Sequence, residues 1–256
     1  MRINDVASPL PACCLAGGFA KNPGQWISVY STADRGPNVS KQTSFLAKAC
    51  RPPPMEIISV FPLSSGLFPD GCLDLQIFEV RYLDLVRRCH REQTAFGVVS
   101  IQEGKEVMVP GQTPALFSHG TMAHIETLDT VQAALLRIRC RGGRRFQLHR
   151  TYPGPLGVWQ AEVDFLPADS AVEIPVELNY LALRLGQGIA QAQKEGRLPE
   201  LPLLAPFRLD ECGWVADRWA ELLNLSASAK VDLLREADPL ERLRAIDRTI
   251  GGPQGI

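Results

Sequence analysis

The stretch WVADRWAELLNLSASAKVDLLREADPLERLRAI, residues 214–246, holds two helical patterns joined by a serine-rich turn. Asp238 is placed to cap a helix, Pro239 occupies its first turn, and Glu241 supplies the acid of a capping box. Ser226 or Ser228 can cap the helix that carries Lys230 and Leu233. With the segments around 212–224 and 174–193, this reads as a C-terminal set of short helices. The second of these, IPVELNYLALRLGQGIAQAQ, is weakened by Gly186 and Gly188.

Working back toward the N-terminus, the period changes from 3.6 to 2. MEIISVFPL (55–63), LDLQIF (73–78), FGVVSI (96–101), KEVMVP (105–110), HGTMAHIETLD (119–129), VQAALLRIRC (131–140), RRFQLHR (144–150) and GVWQAEVDFLP (157–167) read as short strands. One helix interrupts them, VRYLDLVRRC, in which Val80, Leu83 and Val86 or Arg87 recur at helical spacing while Arg81, Asp84 and Arg88 can stay in solvent. The turn spacing suggests an antiparallel barrel or sandwich followed by helices, an α+β chain. Residues 1–54 differ from all of this. They show no sustained period, contain GG, NPG and RGPN, and end in RPPP. They are expected to be a disordered extension, or upstream sequence preceding a true start at Met55. The expected divisions are 1–54, a strand-rich part at 55–168 and a helical part at 169–256.

Composition narrows the function classes. The chain has 256 residues, 45% hydrophobic and 21% charged, with a formal charge of -1. Residues 1–54 carry six Lys/Arg against two acids, leaving 21 against 26 for the remainder. That acidic remainder argues against nucleic acid as a partner for the whole chain. No apolar run reaches the ~20 residues of a membrane span. LPACC near the start is not preceded by the uninterrupted apolar stretch that export requires, since Asp5, Ser8 and Pro11 interrupt it. Seven scattered cysteines with no CxxC pair suggest reduced thiols in a cytoplasmic protein rather than a zinc site.

Four phrases in fixed order carry a resemblance: VFPL at 60–63, IFEVRY at 77–82, GTMAHIE followed by RGGRRFQL, and LLNLSASAKVDLLREADPLERL at 222–243. Together they resemble the Lon N-terminal domain, the substrate-binding module of ATP-dependent Lon proteases, which also occurs as a free-standing bacterial protein. The resemblance implies a PUA-like antiparallel β-barrel followed by a helical bundle. It also implies a non-catalytic module that binds unfolded or extended polypeptides, needs no cofactor, and works with or beside a protease.

The residues themselves offer little catalysis. Gly104–Lys105 is followed by Glu106, so no phosphate-cradling GxxxxGK[ST] loop is present. A Ser–Lys peptidase needs a buried lysine, whereas Lys230 beside Ser226 and Ser228 fits a capped, exposed helix start. His119 and His124 fall on opposite strand faces, and His90 and His149 stand apart, so all four read as surface or rim histidines.

Two candidate binding surfaces remain. The first is apolar: Phe61, Leu63, Leu67 and Phe68 lie in or beside the loop SSGLFPDG, with Phe78 and Tyr82 following. Leu67 and Phe68 are expected at an exposed rim, where both could be lost without unfolding the chain. Phe61 and Leu63 read equally as core or as site. The second is basic: Arg137, Arg139, Arg141, Arg144 and Arg145 fall within nine residues. They could bind RNA or a nucleotide, or they could form a solvated strand face paired with acids such as Glu126 and Asp129.

Overall fold

The computed structural model describes residues 55–104, 106, 113–132 and 134–252. The expectation for residues 1–54 therefore lies outside the described residues, as does the strand expected at 105–110 apart from Glu106. Six strands and five helices follow one another as β1 (Glu56–Leu63), β2 (Cys72–Ile77), α1 (Val80–Glu92), β3 (Ala95–Glu103), β4 (Ala115–Gln132), β5 (Leu135–Pro153), β6 (Trp159–Phe165), α2 (Asn179–Lys194), α3 (Cys212–Leu222), α4 (Ala227–Arg235) and α5 (Pro239–Ile250). The chain is thus strand-rich first and helical afterwards, a mixed α+β architecture.

The strands form one sheet in the order β2-β5-β4-β3-β1-β6, and β6 also returns to pair with β5. Pairing is antiparallel except between β1 and β3, which run parallel from Val60 opposite Gly97 to Leu63 opposite Ser100. That corrects the expectation of a wholly antiparallel sheet. A parallel neighbour requires a crossover, and β2 with α1 supplies it.

A second correction concerns strand length. The segments expected at 119–129, 131–140 and 144–150 are two long strands, β4 of 18 residues and β5 of 19. Val131 and Gln132 close β4, and β5 runs unbroken through Gly142–Gly143. The glycines there do not make a turn. A Cβ on Gly142 would lie 1.9 Å from the Phe68 carbonyl oxygen, so glycine admits the 64–71 loop against the strand.

Long β5 decides the sheet's shape. Its first half pairs with β2 from Leu136 to Arg141, and its second half with β6 from Phe146 to Pro153. β6 also pairs with β1 from Glu56 to Val60. The circuit β5–β4–β3–β1–β6 closes on itself, while β2 hangs on β5 alone.

Two apolar clusters fill the strand-rich part. One contains Phe61, Tyr82, Phe96 and Ile138. The other contains Val60, Val99, Phe146 and Val163. A third joins the helices through Leu181, Trp214, Val215, Leu234 and Leu243, and it also takes in Phe68. Helix α3 packs on α5, and α4 lies against β3 and β4. Both expected caps form: Ser226 Oγ accepts from Ala229 N–H at 3.2 Å, and Asp238 Oδ1 accepts from Leu240 N–H at 2.8 Å. Helix α2 begins five residues later than expected, because Pro175 leads into a single 3-10 turn at Val176–Leu178.

Candidate functional site

The sheet is closed at one end and open at the other. β6 is bonded on both sides, whereas β1 beyond Val60 has β3 on one side and, among the described residues, no strand on the other. Among the described residues β2 is paired with β5 alone, with a single bridge from Gly71, just before it, to Leu203. Between β1 and β2 lies an opening of about 220 Å³, lined by Phe61, Leu63, Leu75, Phe78 and Tyr82, and by the carboxylates of Asp74, Glu79 and Glu106.

Helix α1 provides the floor. Tyr82, in its first turn, stacks on Phe61 with ring centroids 3.9 Å apart. Its hydroxyl is buried without a hydrogen-bond partner. Burial pushes the phenol up to about 12, with the Arg81 charge beside it opposing, so it stays protonated. Arg81 is itself buried, correcting its expected place in solvent. It bonds Glu79 at 3.0 Å and the Gly157 carbonyl at 3.1 Å, and its guanidinium lies over the Tyr82 ring. At the mouth, Phe78 is 59% exposed and neighbouring Val80 is 75% exposed. Glu106 reaches across to the Ser64 N–H at 2.5 Å.

Four of the six apolar residues picked from the sequence, Phe61, Leu63, Phe78 and Tyr82, thus line one opening, but Phe61, Leu63 and Tyr82 are buried members of the core cluster and only Phe78 is exposed. Leu67 and Phe68 do not join them. They are 2% and 0% exposed, which overturns the exposed rim. Leu67 enters the strand cluster and Phe68 the helical one. The cause is the loop's backbone, which long-range partners hold in place. Asp70 N–H donates to Gly142 O (2.8 Å), and Gly142 N–H donates to Gly71 O (2.9 Å). The Glu221 carboxylate accepts from Phe68 N–H at 3.2 Å, and Arg218 donates to Pro69 O at 2.7 Å. With its polar groups satisfied, the loop can bury its apolar side chains.

The arginine stretch divides in the same way. Arg145 is buried and bonds Asp169 (2.5 Å) and the carbonyls of Leu234 and Glu236. Arg141 pairs with Glu126 at 2.6 Å, and Arg139 with Asp74 at 3.2 Å. Arg144 lies over the Phe165 ring, and Arg137 is exposed opposite Asp129 on β4. Three of the five are therefore engaged with acids, and the five do not form one free basic face.

Sequence reasoning missed the buried ionic group beneath this strand. Arg242, wholly buried, bonds Asp169 at 2.6 Å and Asp217 at 3.0 Å, and within α3 the Arg218 guanidinium lies 3.1 Å from the Glu221 carboxyl. Burial pushes the Asp217 carboxyl above the usual range against the pull of Arg242 and Arg218. Burial likewise raises Glu221 to about 8, with Arg218 opposing. The available signal was position: Asp217, Arg218 and Glu221 sit among the buried apolar residues of α3 rather than on a wet face.

Of the histidines, His119 is buried against Ser118 Oγ at 3.0 Å, correcting its expected rim position, and burial lowers its pKa. His149 pairs with Asp164 at 2.8 Å. Among the described residues no three His, Cys, Asp or Glu side chains converge as metal ligands. Cys72, Cys89, Cys140 and Cys212 are buried free thiols. Burial raises all four pKa values, that of Cys140 to about 12, so none is a poised thiolate.

Residues 57–248 match the family model of the ATP-dependent protease La (LON) substrate-binding domain. A Lon N-terminal domain protein from Xanthomonas campestris has a solved structure 34% identical to this chain, with a TM-score of 0.57, covering 74% of this chain and 95% of its own. The N-terminal domain of the Mycobacterium avium complex Lon protease is 18% identical, with a TM-score of 0.47, covering 75% of this chain and 97% of its own. No curated protein matches.

Proposed function

The chain belongs to the ATP-dependent protease La (Lon) substrate-binding domain family, and from that premise we propose that it is a non-catalytic module capturing unfolded or extended polypeptides. The observation that carries the reading is the opening between β1 and β2, where Phe61, Leu63, Phe78 and Tyr82 meet. Phe78 gives a client an exposed aromatic anchor. The stacked Phe61–Tyr82 pair gives it an apolar floor. Exposed apolar surface beside a preformed opening suits weak capture of many sequences rather than recognition of one.

We read the closed strand circuit, 55–168, as a PUA-like barrel open at its β2 end, and the helices of 169–256 as the bundle that braces it. The module acts by recognition alone, in the cytoplasm, without ATP or cofactor, and a protease is the partner to which captured chains would pass. RNA binding by the arginine stretch is disfavoured because Arg139, Arg141 and Arg145 are already engaged.

The test is binding of reduced, carboxymethylated α-lactalbumin to the full chain over a salt series. Phe78→Ser should weaken binding by about 1–3 kcal/mol, the range for a lost apolar anchor. Absence of binding overturns the reading. Capture of a single-stranded RNA, with affinity collapsing as salt rises, would shift it to the arginine stretch.

A further inference from the structure

We propose that the opening receives an extended polypeptide segment as an added strand, bonded to the free edge of β2, with apolar side chains turned inward and basic ones at its rim. This rests on the polypeptide-binding reading and specifies how a client is held.

The topology supplies the first argument. β6 and β2 lie against the same edge of β5, one beside each half. β6 fills the space between β5 and β1 completely, because it bonds to both. β2 bonds to β5 only, and β1 from Phe61 to Leu63 lacks a strand on that side among the described residues. Among the described residues the sheet therefore has a gap beside β2, where neither the outer edge of β2 nor that of β1 from Phe61 to Leu63 is paired with a strand. Unpaired N–H and C=O groups along an edge are a template for another strand, and pairing to them needs no particular client sequence.

The lining supplies the second. An opening of about 220 Å³ is smaller than the ~300–1,000 Å³ of drug-sized ligand sites. It suits one large side chain entering from a passing backbone. Side chains on a strand alternate between faces, so such a guest would place every second residue inward, toward Phe61 and Tyr82, and the others outward. β2 alternates likewise, with Leu73 and Leu75 half-buried and Asp74 and Gln76 exposed.

Charge defines the guest further. Among the described residues the opening is lined by three carboxylates, Asp74, Glu79 and Glu106, and by no cation. Asp74 and Glu79 are each shared with an arginine behind them. Glu106 accepts the Ser64 N–H and has no cation beside it among the described residues. A client with lysine or arginine flanking its apolar run complements that rim.

The experiment uses the full chain and a labelled ten-residue peptide of alternating leucine and serine with lysine at each end. Two isomers carry backbone N-methyl groups, one at every leucine and one at every serine. N-methylation removes a donor, and in a strand the N–H groups of alternate residues point to the same edge. Because the leucines must face inward, the register cannot shift by one residue. One isomer should lose at least tenfold in affinity while the other stays within about threefold of the parent. Exchanging both lysines for glutamate should cost a further tenfold or more. Equal behaviour of the two isomers overturns the added strand. So does a parent peptide that fails to bind while carboxymethylated α-lactalbumin binds in a Phe78-dependent way; in both cases the polypeptide-binding reading survives. Failure of every polypeptide to bind overturns that reading itself.

Discussion

Two apolar pairs flank β2, Leu67 with Phe68 before it and Phe78 with Val80 after it, and they have opposite fates. The first pair is at most 2% exposed and the second at least 59%. Hydrophobicity does not separate them. The backbone's partners do. Residues 67–71 are bonded to Gly142 on β5 and to Arg218 and Glu221 on α3, and Asp70 pairs with Arg208. After Phe78 the backbone bonds are local, with Tyr82 and Leu83 N–H both returning to Glu79 O. A segment whose backbone is held by distant partners can be enclosed, while one whose backbone bonds run only into its own helix start stays at the surface. The buried pair joins the strand and helical cores, and the exposed pair is left for a partner.

The comparison breaks most visibly if the first pair is polar. Leu67→Ser with Phe68→Ser removes one side chain from each of two cores, and we expect a loss of more than about 5 kcal/mol in urea unfolding. A double variant that remains folded would show the loop to be a rim after all. Next in size is Arg242→Ala. It leaves Asp169 and Asp217 without their shared guanidinium, and breaking a buried pair costs about 3–5 kcal/mol. The same unfolding measurement checks it, and a loss below about 1 kcal/mol would mean that Asp169 and Asp217 do not depend on the Arg242 guanidinium.

The anchor at Glu221 should depend on pH. Its folded pKa, about 8, lies above that of an unfolded glutamate, so the folded state holds the extra proton. The stabilisation is full below about pH 4 and is lost as pH rises through 8. The melting temperature of the parent minus that of Glu221→Gln should therefore fall between pH 5 and pH 9, by the equivalent of about 1–3 kcal/mol. A difference that is flat or rising would remove the protonated anchor. The smallest effect belongs to the exposed pair. Phe78→Ser should change unfolding free energy by no more than about 0.5 kcal/mol, and a larger cost would place Phe78 in the fold rather than at the mouth of the opening.

Much of this was legible locally. Six apolar residues, Phe61, Leu63, Leu67, Phe68, Phe78 and Tyr82, stand out in the sequence around a Gly/Pro-containing loop, and four of them line one opening. Leu67 and Phe68 were misplaced because a Gly/Pro-containing loop looks exposed when its distant partners are unknown. Phe68 meets Glu221 across 153 residues of sequence, a separation no window can read. The arginine stretch reads as a strand face paired with acids, and Arg141 does pair with Glu126; the burial of Arg145 is what the sequence does not show. That burial is paid for by Asp169 and by carbonyls of the α4–α5 junction.

What the sequence determined by itself is what depends on neighbours within a few residues. That includes strands then helices, the caps at Ser226 and Asp238, and the helix that brings Tyr82 toward the strands. Side-chain period and capping chemistry act over one or two turns, so they survive in the linear order. Tertiary structure decided the rest: the parallel β1–β3 pair, the passage of β5 through Gly142 and Gly143, the burial of Phe68, and the gap beside β2. Each depends on which distant backbone groups find one another, since a buried N–H or C=O must be paired wherever its partner lies in the chain.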